Sequence, residues 1–207
     1  MKKNLNTIAY CRIKNHTISV NGKLLYTKDS QLTFPEFAKQ VYKEKNIAYP
    51  KFFKMDNLSK LGFLASEFIF EAAKLDSDII KNTGIVLSNR ASSLDTDRKH
   101  QETINDKNNY YPSPAVFVYT LANIMIGEIS IRHQIKGENV FFVAEQFNEI
   151  LLEQYASSLI QNKKSDLVLC GWVDIDKDKY DAFMYLVAEE GPQKYSKEII
   201  KKIYTED

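Results

Sequence analysis

Apolar and polar positions alternate between residues 7 and 26, through Ile8, Tyr10 and Arg12 and then Thr17, Ile18, Ser19 and Val20, and the run closes on Asn21-Gly22. Asn-Gly is a strong short hairpin signal, because both central residues of the turn must reach positive φ. The pattern predicts a small antiparallel unit here. Further on, Leu58, Leu61, Ala65, Phe68 and Ala72 recur at three and four, the spacing of one buried stripe on a helix. Asp56 or Asn57 stands before that stripe, where a side-chain oxygen caps the helix by accepting a free backbone N–H. Ile85-Val86-Leu87 reads as a short apolar strand. Residues 91–112 are polar and carry no period, which predicts a long functional or mobile loop.

Tyr110-Tyr111-Pro112-Ser113-Pro114 punctuates the chain ahead of a predicted helix over about 115–135. That helix is apolar nearly all round, so it is buried on more than one side or lies at an interface. An apolar strand follows over 139–144, then a helix over about 146–162 with Phe147, Ile150, Leu151, Tyr155, Leu159 and Ile160 on one face. Strands are predicted over 167–173 and 182–189, and a basic amphipathic helix, its lysines solvating a surface face, over 195–204. Strands alternating with helices indicate a layered α/β domain.

Composition narrows this little. The 207 residues suit one domain over 1–207, long enough to bury a core, and an apolar fraction of 44% argues against disorder. A net charge of +1 leaves no electrostatic footprint for nucleic acid. Cys11 and Cys170 both sit in apolar strand-like runs and read as structural thiols, with no disulfide framework. No apolar run follows Lys2 and Lys3 as a secretion leader requires, and none approaches the roughly 18 residues of a membrane span. The sequence therefore predicts a soluble, cytoplasmic protein. Asp95, Asp97 and His100 form an acid-acid-base run without a recognised metal spacing; solvated surface is the simpler reading. His16, His100 and His133 read as surface or structural histidines.

The most informative stretch runs from Ser113 to Asp174. It holds Ser113-Pro114, then Asn123 near Gly127, then Gly137-Glu138-Asn139, the strand Val140-Phe141-Phe142-Val143 and Gln146, and ends in Leu167-Val168-Leu169-Cys170-Gly171-Trp172. This resembles the N-terminal half of the β-ketoacyl synthases of the thiolase superfamily. Lys54-Met55-Asp56 resembles the opening of a long helix in the same family, and the likeness covers roughly residues 50–190. It implies one half of a thiolase-type αβαβα fold: an α/β, αβα-layered single domain around a mixed sheet.

Laid on the family pattern without a gap, Gln146 falls where the nucleophilic cysteine belongs. A glutamine is no nucleophile at neutral pH, and neither Cys11 nor Cys170 stands in the right place. The family's two catalytic histidines come from its C-terminal half, and this chain ends near where that half would begin. The resemblance thus implies no catalytic residue, no metal and no cofactor. It is closest in kind to the chain-length factors of type II polyketide systems, catalytically silent relatives that often carry Gln at this position. Short partner subunits of aryl polyene and flexirubin pathways offer an analogy.

What the resemblance implies about partners follows. Chain-length factors pair with a full-length ketosynthase and help close its acyl tunnel. Val140, Phe141, Phe142 and Val143 would form the strand that pairs across the two-fold axis, while Val116, Thr120 and Gln146 would line or shape the tunnel. Acyl carrier protein is a further expected contact. Two other readings stand beside this one: a self-associating half-thiolase module, homodimeric, that binds carrier or an acyl ligand; and an enzyme of unrelated chemistry using Asp95, Asp97, His100 or Glu145.

Overall fold

The structure is a computed structural model and describes residues 4–108 and 110–206. Its strands are β1 Asn6–Lys14, β2 Thr17–Val20, β3 Lys23–Thr27, β4 Thr83–Asn89, β5 Asn139–Val143, β6 Leu167–Asp176, β7 Lys179–Ala188 and β8 Gln193–Lys194. They form one sheet in the order β3-β2-β1-β7-β6-β4-β5, with β8 beside β1. The ladders of β4 with β5 and with β6 are parallel; those of β6 with β7 and of β7 with β1 are antiparallel. The sheet is mixed, as expected.

The opening segment is more than a small separate unit. Asn21 and Gly22 take φ of 51° and 74° in the β2–β3 turn, as their chemistry predicts. A second two-residue turn, Asn15 and His16 at φ 48° and 59°, joins β1 to β2. Beyond it, β1 pairs with β7 along its whole length and so lies inside the sheet.

Side chains alternate across the central strands. On β6, Leu167, Leu169 and Val173 face one layer, while Val168, Cys170 and Trp172 face the other. The first layer holds the helices α1 Phe34–Glu44, α2 Asn57–Ala73 and α6 Ile124–His133; the second holds α7 Glu149–Gln161 and α8 Lys197–Glu206. Three short helices, α3 Ser77–Lys81, α4 Leu94–Glu102 and α5 Pro114–Phe117, lie among them in sequence. Asp56 caps α2 as predicted, its Oδ1 accepting from the Ser59 N–H at 2.9 Å.

Three expectations need correction. The polar run 91–112 contains α4, which buries only Thr96 and so shows no apolar stripe. Polar contacts hold it: Thr96 donates to the Asp56 carboxylate at 2.9 Å, Asn57 to Asp95 at 3.1 Å, and Arg98 pairs with Asp176. The helix predicted over 115–135 is broken. Leu121 is extended at φ −115° and ψ 110°, and the segments on either side of the break meet at 99°. The helix predicted to begin at Gln146 begins at Glu149, because Asn148 supplies the cap. Also outside the prediction was α1, although Thr33 and Glu36 stand at capping-box spacing and Glu36 accepts from the Thr33 N–H at 2.9 Å.

Candidate functional site

The site begins with β5. It pairs with β4 through Val86↔Val140, Leu87↔Phe141 and Ser88↔Phe142, and no other strand among the described residues adjoins it. Phe141 packs toward α2 and α6, while Val140 and Phe142 pack toward α7. Val143 is 62% exposed. The outer edge of β5 therefore presents free backbone donors and acceptors beside apolar side chains, a template for another strand.

After β5 the chain turns. The Ala144 N–H donates to the Asn89 carbonyl at 2.8 Å, and Glu145 and Gln146 then stand exposed in a bend. Phe147 turns inward, its ring 4.3 Å from Tyr204 on α8 and 5.7 Å from Phe183 on β7. Asn148 then caps α7, accepting from the Leu151 N–H at 2.9 Å. The positive end of the helix thus acts on Asn148 and Glu149, with Gln146 two residues outside the cap. The Gln146 amide has no hydrogen-bond partner among the described residues. It borders an open cleft of about 570 Å³ lined also by Asn148, Ile150, Lys201, Tyr204 and Thr205.

Val116 and Thr120 lie elsewhere. Ser113 caps the single turn of α5, accepting from the Val116 N–H at 3.4 Å. Val116 is half-buried and lines a second cleft of about 230 Å³ with Met55, Asp56, Lys60, Lys99 and Tyr119. Thr120 ends a 3₁₀ turn; its carbonyl accepts from Ser93 at 2.7 Å and its hydroxyl donates to the Phe117 carbonyl at 2.7 Å. Gln146 and Val116 therefore line separate clefts of this chain. Around the α5–α6 break large apolar groups stand in the open: Tyr111 is 77% exposed, Phe117 59% and Leu121 58%.

The remaining candidates find ordinary partners. Both cysteines are fully buried, and burial pushes each thiol well above its usual range, so neither presents a thiolate. A ring nitrogen of His16 bonds the Leu32 carbonyl at 2.7 Å. His100 lies against the Phe117 ring at 5.3 Å. Lys99 neutralises Asp95 at 2.8 Å, Asp97 accepts from Ser93 at 3.2 Å, and Glu145 is exposed. These groups do not converge, and no cluster of three or more metal-binding side chains occurs among the described residues. His133 Nε2 lies 3.0 Å from Ser66 Oγ and 3.4 Å from Glu67. Ser66 is fully buried and donates to the Phe63 carbonyl at 2.8 Å, so the trio is no exposed nucleophile.

Two groups escaped the sequence reading. Arg12, buried within β1, pairs with Asp181 at 2.9 Å and donates to the Tyr204 carbonyl at 2.8 Å, which ties α8 to the sheet. A charged residue alternating in phase inside an apolar strand was its only signal. Lys60, four residues after the Asp56 cap, faces the second cleft.

No family model matches the sequence, and no curated protein matches it. Solved structures do. The ishigamide ketosynthase/chain length factor shares 15% identity at a TM-score of 0.68, over 89% of this chain and 62% of that one. A type II polyketide synthase acyl-carrier protein in complex with its hexaketide-bound ketosynthase gives 15% and 0.66, over 89% and 62%. A ketosynthase in complex with its chain length factor from Xenorhabdus doucetiae gives 12% and 0.57, over 91% and 80%. The chain therefore has the thiolase-like ketosynthase fold, and it spans 62% of the length of the first two chains.

Proposed function

We propose that this chain is a non-catalytic, chain-length-factor-type subunit that pairs with an active β-ketoacyl synthase in a polyketide or fatty-acid-like pathway of the aryl polyene kind and shapes its acyl tunnel. The observation that carries this reading is the unit of β5, turn and α7. It has the ketosynthase fold, an unpaired edge, and Gln146 exposed at the turn where the resemblance expects a cysteine. The two thiols are sealed in the core, so neither replaces that nucleophile. The β5 residues Val140, Phe141, Phe142 and Val143 would pair with the synthase, and Val116, Thr120 and Gln146 would face its tunnel. Complexes of a ketosynthase with a chain length factor or a carrier protein among the structural relatives support this class of partner.

The test is co-purification. A tagged chain recovered from its own cells should bring down a full-length ketosynthase at one-to-one, and Val116→Trp in that complex should shorten its products. A clean homodimer without a synthase would instead favour the self-associating module, since the open β5 edge accepts a second copy equally well. Unchanged product lengths would remove Val116 from the tunnel.

A further inference from the structure

We propose that Lys60 is an acyl-acceptor amine, taking an acyl group from a thioester seated in the cleft it shares with Val116 and Tyr119. The cleft, about 230 Å³, is large enough for a short acyl group. Its walls include the apolar Met55, Ala115 and Val116, and three ammonium groups line it: Lys54, Lys60 and Lys99. The charged groups around Lys60 are these lysines, the Asp56 carboxylate one helical turn back, and Asp95 held by Lys99; the neutral phenol of Tyr119 donates to Glu128 at 2.9 Å.

Lys60 differs from the other two lysines of the cleft. Lys54 stands at the exposed rim, and Lys99 is held by Asp95 at 2.8 Å. Lys60 is half-buried, and no hydrogen-bond or ion-pair partner within bonding distance is found for it among the described residues. Asp56 is already engaged, accepting from the Ser59 N–H and the Thr96 hydroxyl at 2.9 Å each. Lys60 also sits in the first turn of α2, where the positive end of the helix opposes an ammonium. Burial lowers its pKa; the Asp56 carboxylate opposes this in part, and the Lys99 ammonium adds a smaller lowering. A larger neutral fraction makes a lysine a better nucleophile.

The step balances without another reactant. The neutral amine attacks the thioester carbonyl carbon; the C–N bond forms, the C–S bond breaks, and the departing thiolate takes the proton the amine sheds. The product is an acylated Lys60 and a free thiol.

The experiment exposes the full chain to the acetyl thioester of N-acetylcysteamine at neutral pH and follows each lysine by peptide mass spectrometry. Lys60 should acetylate about fivefold faster than the median lysine. Lys99→Met, which removes the like charge, should slow Lys60 at least ~2-fold while leaving distant lysines unchanged. Val116→Trp, which fills the cleft, should protect Lys60 alone. A Lys60 rate at or below the median overturns the proposal. So does a fast rate indifferent to both substitutions, because exposure would then explain it.

Discussion

His133 shows how a single buried group converts position into pH dependence. It lies on the last turn of α6 against the Phe70 ring at 4.4 Å, with Ser66, Glu67 and Arg132 around it. Burial pushes its pKa from 6.5 down to about 4; Glu67 opposes this and Arg132 adds to it. The unfolded chain binds this proton near pH 6.5 and the folded chain only near pH 4, so the unfolded state holds more protons between those values. Stability from this group is complete above pH 6.5 and declines as pH falls toward 4, by ~3 kcal/mol at full effect. Urea melts at neutral pH and at mildly acid pH should therefore differ less for His133→Asn than for the parent. Equal slopes for the two proteins would assign the acid sensitivity to carboxylates. Gly171 makes a second residue-scale case. It lies opposite Met184 in the β6–β7 ladder, and a Cβ there would meet the Met184 Cα at 2.9 Å. Gly171→Val should destabilise by at least ~2 kcal/mol, read as a shifted denaturant midpoint at unchanged slope.

At the scale of elements, α8 is fixed by one compact arrangement. The Arg12 guanidinium lies 4.3 Å from the Tyr204 ring, donates to the Tyr204 carbonyl, and pairs with Asp181, which also accepts from the Tyr204 hydroxyl at 3.0 Å. A buried charge losing its partner costs roughly 3 kcal/mol, and groups sharing one network do not add. Arg12→Ala, which takes the guanidinium away from Asp181, should destabilise on that scale; Tyr204→Ala, which removes the ring and hydroxyl but keeps the carbonyl and the Arg12–Asp181 pair, should cost less, and the double variant should fall short of their sum. Additive losses would mean that the two act independently. Elements of this kind separate what the sequence reveals from what it hides. The α2 stripe, the β2–β3 turn and the β4–β7 strands were legible because apolar period and turn chemistry are local. The α4 helix was not, since polar contacts to Asp56, Asn57 and Asp176 hold it instead of an apolar face. The break at Leu121 was hidden for the opposite reason: apolar residues run on both sides of it, from Val116 to Val118 and from Ile124 to Ile126, so composition does not mark where the helix changes direction. The start of α7 moved three residues because Asn148 outcompetes Gln146 as a cap, leaving Gln146 exposed ahead of the helix.

Among the described residues the main path of the sheet ends on two strands, β3 and β5, with β8 beside β1 off that path. β3 closes one side, where Lys23 opens the strand and Leu24 and Leu25 stand 59% and 45% exposed. β5 closes the other with Val140, Phe141, Phe142 and Val143 and no charged side chain. Beside it in sequence, on the connection into α7, stands Gln146. If assembly runs through β5, the most exposed of its apolar residues is the place to interrupt it. Val143 makes little contribution to the folded core, so Val143→Lys should leave the unfolding free energy within about 0.5 kcal/mol of the parent. The same lysine sets a charge on an edge that must desolvate to pair, and should weaken association at least ~10-fold, close to 1.4 kcal/mol. Sedimentation of the chain alone and titration against a co-purified ketosynthase would report the self-associated and mixed assemblies separately. Loss in the mixed titration alone supports the synthase as the occupant of the edge; loss in self-association alone supports a second copy. Assembly unchanged in both would show that the β5 edge stays open, and would move the search to the exposed apolar groups around Phe117 and Leu121.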